Sequence, residues 1–188
     1  MTKIIIIEGQ DNTGKDTLIK SLSNKRLSIK EYHFTSPEKY NPNIEDKVLA
    51  QKLQFVEIFN YVKKDLEENK FDLIILNRSH VGEYVYGSIY RNTNPDWVFK
   101  EFEPEFLDIL KQSYLILLTA PPELSLKNDD GLSHSTKLKD KELEYYRFLR
   151  AFGLSQIKNK IIVPVHEKNT TEFRNKQEIL TDILNFIQ

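Results

Sequence analysis

No cysteine occurs anywhere in the 188 residues, which excludes disulfides and thiolate metal sites outright. A reducing compartment suits that absence, and the cytoplasm is the expected setting, host cytoplasm if the source is viral. Long apolar runs are also missing: none approaches the ~20 residues that a membrane span requires. The stretch nearest the N-terminus, Ile4 to Ile7, is closed by Glu8 and is too short for a secretory core. Neither sign of charge is in excess, with 27 basic residues against 28 acidic ones. No global electrostatic grip on nucleic acid or anionic lipid is therefore expected. No repeat, low-complexity segment or Pro/Gly/Ser linker divides the chain. With 39% hydrophobic and 29% charged residues, it reads as one soluble globular domain spanning residues 1–188.

Strand-like and helix-like segments alternate. Lys3 to Glu8 is a β-branched run of strand length, and Lys15 to Leu22 reads as a helix. Tyr32 to Thr35 predicts a short second strand ended by Ser36-Pro37. From Ile44 to Glu68 the pattern is helical, with Leu49, Leu53, Val56, Phe59 and Val62 spaced at threes and fours. Phe71 to Leu76, Tyr114 to Thr119 and Ile161 to Val165 predict three more strands. Lys139 to Phe152 and Glu172 to Ile187 predict helices. This alternation implies a mainly parallel sheet with helices on both faces, and ligands at the carboxyl ends of its strands.

The chemistry-bearing motif follows the first strand. Gly9-Gln10-Asp11-Asn12-Thr13-Gly14-Lys15 fits G-x-x-x-x-G-K, the phosphate-binding loop. Glycines let the backbone curl so that successive N–H groups face one phosphate, and the helix starting near Lys15 adds its dipole. The lysine then reaches the outer phosphates as a point charge. The hydroxyl that normally follows the lysine and binds Mg²⁺ is replaced by Asp16, with Thr17 next. Asp16 is either a metal ligand or a carboxylate favouring the first turn of a helix.

Glu8-Gly9-x-Asp11-x-x-Gly14-Lys15-x-Thr17 resembles the opening of thymidylate kinases. Asn77-Arg78-Ser79, after the third strand, looks like that family's Asp-Arg-Tyr/His motif, and Tyr86 falls where the family has a tyrosine. Ala120-Pro121-Pro122-Glu123 resembles its proline turn, which precedes a lid, here roughly residues 127–141. The resemblance covers roughly the whole chain and is closest to phage-type members. It implies a three-layer α/β P-loop NTPase fold, a five-stranded parallel sheet in order 2-3-1-4-5 with helices on both faces and a small lid. It further implies ATP as phosphoryl donor with Mg²⁺, small-molecule nucleotides as partners, and the homodimer common in that family. Gly9, Asn12, Thr13, Gly14, Lys15, Asp16 and Thr17 would hold the donor phosphates and metal. Arg78 would anchor the acceptor phosphate, Asp11 its sugar hydroxyl, Phe55 would stack on its base, and Tyr86 would belong to the same substrate site. Phe55 belongs equally to a helical core stripe with Gln51 and Phe59. Asp129-Asp130-Gly131 reads as a turn.

The chain also departs from the family pattern. Asn77 stands for an aspartate, Gly82 and Gly87 for a serine and a glutamine, and the loop carries no arginine. The lid offers Lys127, Lys137, Lys139 and Lys141 instead, which neutralise charge without a bidentate fork. The expected reaction is dTMP to dTDP. A deoxynucleoside, a modified base in phage DNA, and a nucleotide-binding protein without catalysis stay open beside it.

Overall fold

A computed structural model describes residues 2–23, 27–129, 131, 133–168, 170 and 172–188. In chain order the elements are β1 (Lys3–Gly9), α1 (Lys15–Ser23), β2 (Ile29–His33), α2 (Pro37–Tyr40), α3 (Lys47–Glu68), β3 (Leu73–Asn77) and α4 (His80–Tyr90). A π-helical turn, Val98–Phe102, then runs into α5 (Glu103–Glu105) and α6 (Leu107–Lys111). β4 (Ser113–Thr119), α7 (Pro122–Lys127), α8 (Leu138–Leu154), β5 (Asn159–Pro164) and α9 (Lys176–Phe186) complete the chain. The strands form one sheet in the order β2-β3-β1-β4-β5, every pairing parallel. That is the fold and the strand order the sequence led one to expect.

β1 takes the centre because Ile4, Ile5, Ile6 and Ile7 make it apolar on both faces, and all four are fully buried. Ile4 and Ile6 enter one core with Phe55 and Phe59 of α3, Val85 of α4 and Phe148 of α8. Ile5 and Ile7 enter the other with Leu18 and Leu22 of α1 and Leu180 and Ile183 of α9. Burying an isoleucine contributes about 1.5–3 kcal/mol, so this strand alone anchors both layers. Register then sets the functional edge. Ile7 and His33 both pair with Asn77, and Gly9 pairs with Leu118, so the carboxyl ends of four strands meet.

Several boundaries differ from the sequence reading. α3 starts at Lys47 rather than Ile44 because Asp46 caps it, accepting from the N–H groups of Val48 (2.9 Å) and Leu49 (3.1 Å). Its buried face is Ala50, Gln51, Gln54, Phe55, Phe59 and Val62, while Leu49 and Leu53 are 47% and 44% exposed. Two glutamines in the buried stripe conceal its phase. β2 ends at His33 instead of Thr35, although the Phe34 N–H still reaches Asn77 O at 3.3 Å. α9 starts at Lys176, after Asn175 caps it, instead of at Glu172. The helical region between Val98 and Lys111 was not expected. Its buried Glu103 accepts from Ser155 Oγ (2.6 Å) and the Gln156 N–H (2.8 Å) and meets His80 Nε2 at 2.9 Å. Burial pushes this carboxyl up, but those hydrogen bonds outweigh it and hold Glu103 below its ordinary range. The cluster ties α4 and α5 to the end of α8. Among the described residues, no helix is long and apolar enough to cross a membrane.

Candidate functional site

The loop between β1 and α1 has the backbone that its glycines predict. Gly9 sits at φ +143°, and a Cβ there would lie 2.3 Å from Leu118 O, so no other residue fits beside β4. Asn12 and Gly14 also have positive φ, at 63° and 81°. Thr13 Oγ1 donates to Gln10 O at 2.9 Å and locks the curl. Lys15 folds back into the loop, its Nζ donating to Gly9 O (3.0 Å) and Gln10 O (2.6 Å). Burial and the neighbouring Arg78 charge push this ammonium down to about 7. Gln10 Nε2 donates to Lys141 O (3.0 Å), and Asn12 Nδ2 to Ser133 Oγ (3.3 Å), which fastens the loop to α8 and to the segment before it.

Arg78 follows β3, and its N–H donates to Ile7 O at 3.0 Å, which extends the ladder by one residue. Its φ of +67° is rare for a residue with a Cβ. The guanidinium pairs with Asp11, donates to Tyr86 Oη at 3.2 Å and lies 5.2 Å from the centre of the Tyr86 ring. Burial raises the Asp11 carboxyl, yet Arg78 and Lys15 outweigh it and hold the group below its ordinary value. Beneath them Glu8 is fully buried, and burial pushes it up to about 7 against the Arg78 charge and the Gly82 N–H it accepts from at 3.0 Å. A Cβ on Gly82 would stand 3.0 Å from Glu8 Oε2, which accounts for a glycine at this position.

Three cavities meet these residues. One of about 270 Å³ runs from Asp11, Arg78 and Tyr86 along Phe34 and Phe55 to Glu83 and Arg91. A second, lined by Lys15, Asp16, Thr17 and Asn77, shares Asp11, His33 and Arg78 with the first. A third, of about 260 Å³, opens from Asn12, Thr13 and Gly14 past Thr17 and Leu18 to Phe173 and Arg174. All the loop and Arg78 residues singled out from the sequence thus converge at one edge of the sheet. Phe55 is 1% exposed and packs on Phe34 (5.0 Å between ring centres) and Phe102 (5.4 Å), so it serves the core as well as the cavity wall. Asp16 Oδ1 accepts from Asn77 Nδ2 at 3.1 Å, and the same nitrogen donates to Glu31 Oε1 at 3.0 Å.

The lid lysines separate. Lys127 ends α7, whereas Lys141 is fully buried on α8, 3.7 Å from Glu144, with no hydrogen bond to its Nζ among the described residues. Asp130 lies outside the described residues, so the turn expected there is not placed. Sequence reasoning missed Glu31, Glu83, Arg91 and His134. Glu83 lies one helical turn beyond Ser79, and nothing in its local sequence distinguishes it from a surface glutamate. It is buried beside Arg91 and Gly87, in the wall of the first cavity.

No family model and no curated protein sequence matches the chain. Among solved structures, a crystal structure of the YorR protein from Bacillus subtilis in complex with phosphorylated GDP is similar to it. The TM-score is 0.67, with 17% identity over 98% of this chain and 95% of the other. At that identity the likeness establishes the fold.

Proposed function

We propose that the chain transfers the γ-phosphate of ATP to a nucleoside monophosphate, with dTMP the acceptor that the resemblance to thymidylate kinases names. The observation that carries this reading is the pair of cavities sharing Asp11, His33 and Arg78. A donor phosphate on the loop and an acceptor phosphate at Arg78 would meet there. Phosphoryl transfer asks little covalent chemistry of a protein, so positioning and charge neutralisation carry it. The loop amides and Lys15 hold the donor, and Arg78 holds the acceptor with its phosphate oxygen facing the γ-phosphorus. Asp11 takes the acceptor's sugar hydroxyl, and Tyr86 fixes the Arg78 fork. The groove past Thr17 and Arg174 takes the donor base. Lys141 adds a buried positive charge close enough to lower the Asp11 acidity range, where the loop lacks an arginine. A phosphorylated nucleotide bound to the YorR protein supports a nucleotide as the ligand of this fold.

Mg²⁺ suits the oxygen donors here, since it binds through one or two carboxylates, phosphates and retained waters. When bound it supplies neutralisation of the outer phosphates. Asp16 would hold it, directly or through water, with Asn77 orienting the carboxylate. Relative to the family pattern the carboxylate has moved from the end of β3 to the start of α1, and the 3.1 Å contact puts the two positions side by side. Asp16→Ala is therefore expected to raise the Mg²⁺ concentration for half-maximal activity at least tenfold. Adding Asn77→Asp should recover part of the loss. A magnesium titration showing no shift and no rescue leaves Asp16 only a helix-start role, worth up to ~1 kcal/mol of stability. The reaction itself is tested by ADP release against a panel of nucleosides and nucleotides. No release with any acceptor, under conditions where ATP binds, would retire the kinase reading.

A further inference from the structure

We infer that the cavity is built to read a guanine base, the Glu83 carboxylate accepting from its N1–H and exocyclic amine while the Arg91 guanidinium donates to its O6. This rests on the nucleotide-kinase reading above and departs from the acceptor base that the resemblance names.

The cavity has a phosphate-and-sugar end, at Arg78 and Asp11, and an apolar side, at Phe34 and Phe55. Glu83 and Arg91 supply charged groups at the two ends of α4, in its first turn and at its C-cap. The two side chains are paired, with 4% and 13% exposure. A buried ion pair is poor evidence for a stabilising role, because desolvation offsets most of its attraction. Placing one in the wall of a ligand cavity is better explained by what it recognises. Two further features are built around it. Gly87 leaves the space that the carboxylate fills: a Cβ there would lie 2.5 Å from Glu83 Oε1 and 2.9 Å from Thr93 Oγ1. Arg91 Nε is buried without a hydrogen-bond partner among the described residues, so the guanidinium retains unused donor capacity.

Base chemistry selects the occupant. A carboxylate offers two acceptors side by side, and beside it the guanidinium offers donors. Guanine presents two adjacent N–H groups next to a carbonyl oxygen and matches all of these. Thymine presents one N–H between two carbonyl oxygens, which would face the carboxylate with like partial charge and leave a buried acceptor unsatisfied. Adenine and cytosine offer a single exocyclic amine beside a ring acceptor, and so fill only half of the carboxylate. The ring of a purine also covers more of Phe55 than a pyrimidine does.

The test is calorimetric titration of dGMP, dTMP, dCMP and dAMP into the full chain, alongside ADP release with the same four acceptors. The expected result is dGMP binding at least about tenfold more tightly than dTMP. Glu83→Gln should lower the dGMP-to-dTMP affinity ratio roughly 5- to 100-fold. Gly87→Ala, which displaces the carboxylate and keeps its charge, should lower it in the same direction. Equal or tighter dTMP binding overturns the inference, as does a Glu83→Gln variant that loses both ligands equally, the mark of a structural lock. If a variant does not fold, the preference of the parent protein decides alone. ADP release with dTMP favoured would sink the base assignment and leave the kinase standing. Selective dGMP binding without ADP release from any acceptor would do the reverse.

Discussion

Lys15→Ala is expected to reduce phosphoryl transfer by roughly 100- to 1000-fold in kcat, the loss seen when one preorganised charge-stabilising donor is removed. The expectation depends on what Lys15 touches. Its ammonium is buried, yet its hydrogen bonds go to Gly9 O and Gln10 O, two backbone groups of the loop itself. Those bonds stay within the loop, and both cores of the sheet are built from other side chains, so the fold should survive its loss. The variant leaves two carbonyls with one donor fewer, a local cost of about 1–3 kcal/mol. In a chain of this size that amounts to a fall in Tm of roughly 2–12 °C. Circular dichroism should therefore be unchanged at 25 °C while turnover is almost abolished. Activity within twofold of the parent protein would mean that the loop does not hold the transferred phosphate, and the placement of the donor would have to be abandoned.

The same contrast between local pattern and tertiary placement explains how much of this molecule its sequence discloses. β1 is legible because four consecutive isoleucines can only belong to a strand buried on both sides. The loop is legible because its geometry is local: Gly9 and Gly14 carry the positive φ that the curl requires. Arg78 is legible through its place after an apolar strand, although nothing in the sequence announces that its own backbone is left-handed. α3 is harder. Its length reads correctly, but Gln51 and Gln54 are buried and Leu49 and Leu53 exposed, so a hydrophobic count alone misplaces the first two turns while Phe59 and Val62 read correctly. The glutamines are buried because they bond one another and Thr35, two residues past the end of β2, a partnership 19 residues long at its wider step. Glu83 and Arg91 are harder still. An acidic and a basic residue eight apart look like an ordinary exposed helix, and nothing local announces that the two are paired and buried in a cavity wall.

Arg78→Ala is expected to raise the KM for the phosphorylated acceptor roughly 10- to 150-fold, with the KM for ATP changed far less. A hydrogen bond to a charged group is worth ~1.5–3 kcal/mol, and each 1.4 kcal/mol is tenfold in affinity. The guanidinium is held ready by Asp11, Gly9 O and Tyr86, so binding a phosphate costs it little side-chain freedom. Its backbone supplies a second, independent readout. At φ +67° any residue with a Cβ is strained by about 1–2 kcal/mol relative to glycine. Strain of this kind persists where function requires it. Arg78→Gly should thus be more stable than Arg78→Ala by roughly that amount in urea denaturation, while losing acceptor affinity to the same extent. A residue kept for structure would behave otherwise: the glycine variant would recover activity together with stability. Equal losses for acceptor and ATP would move Arg78 to the donor side. An acceptor that carries no phosphate would make both variants nearly silent in KM, and that outcome would identify a nucleoside, rather than a nucleotide, as the group beside Asp11.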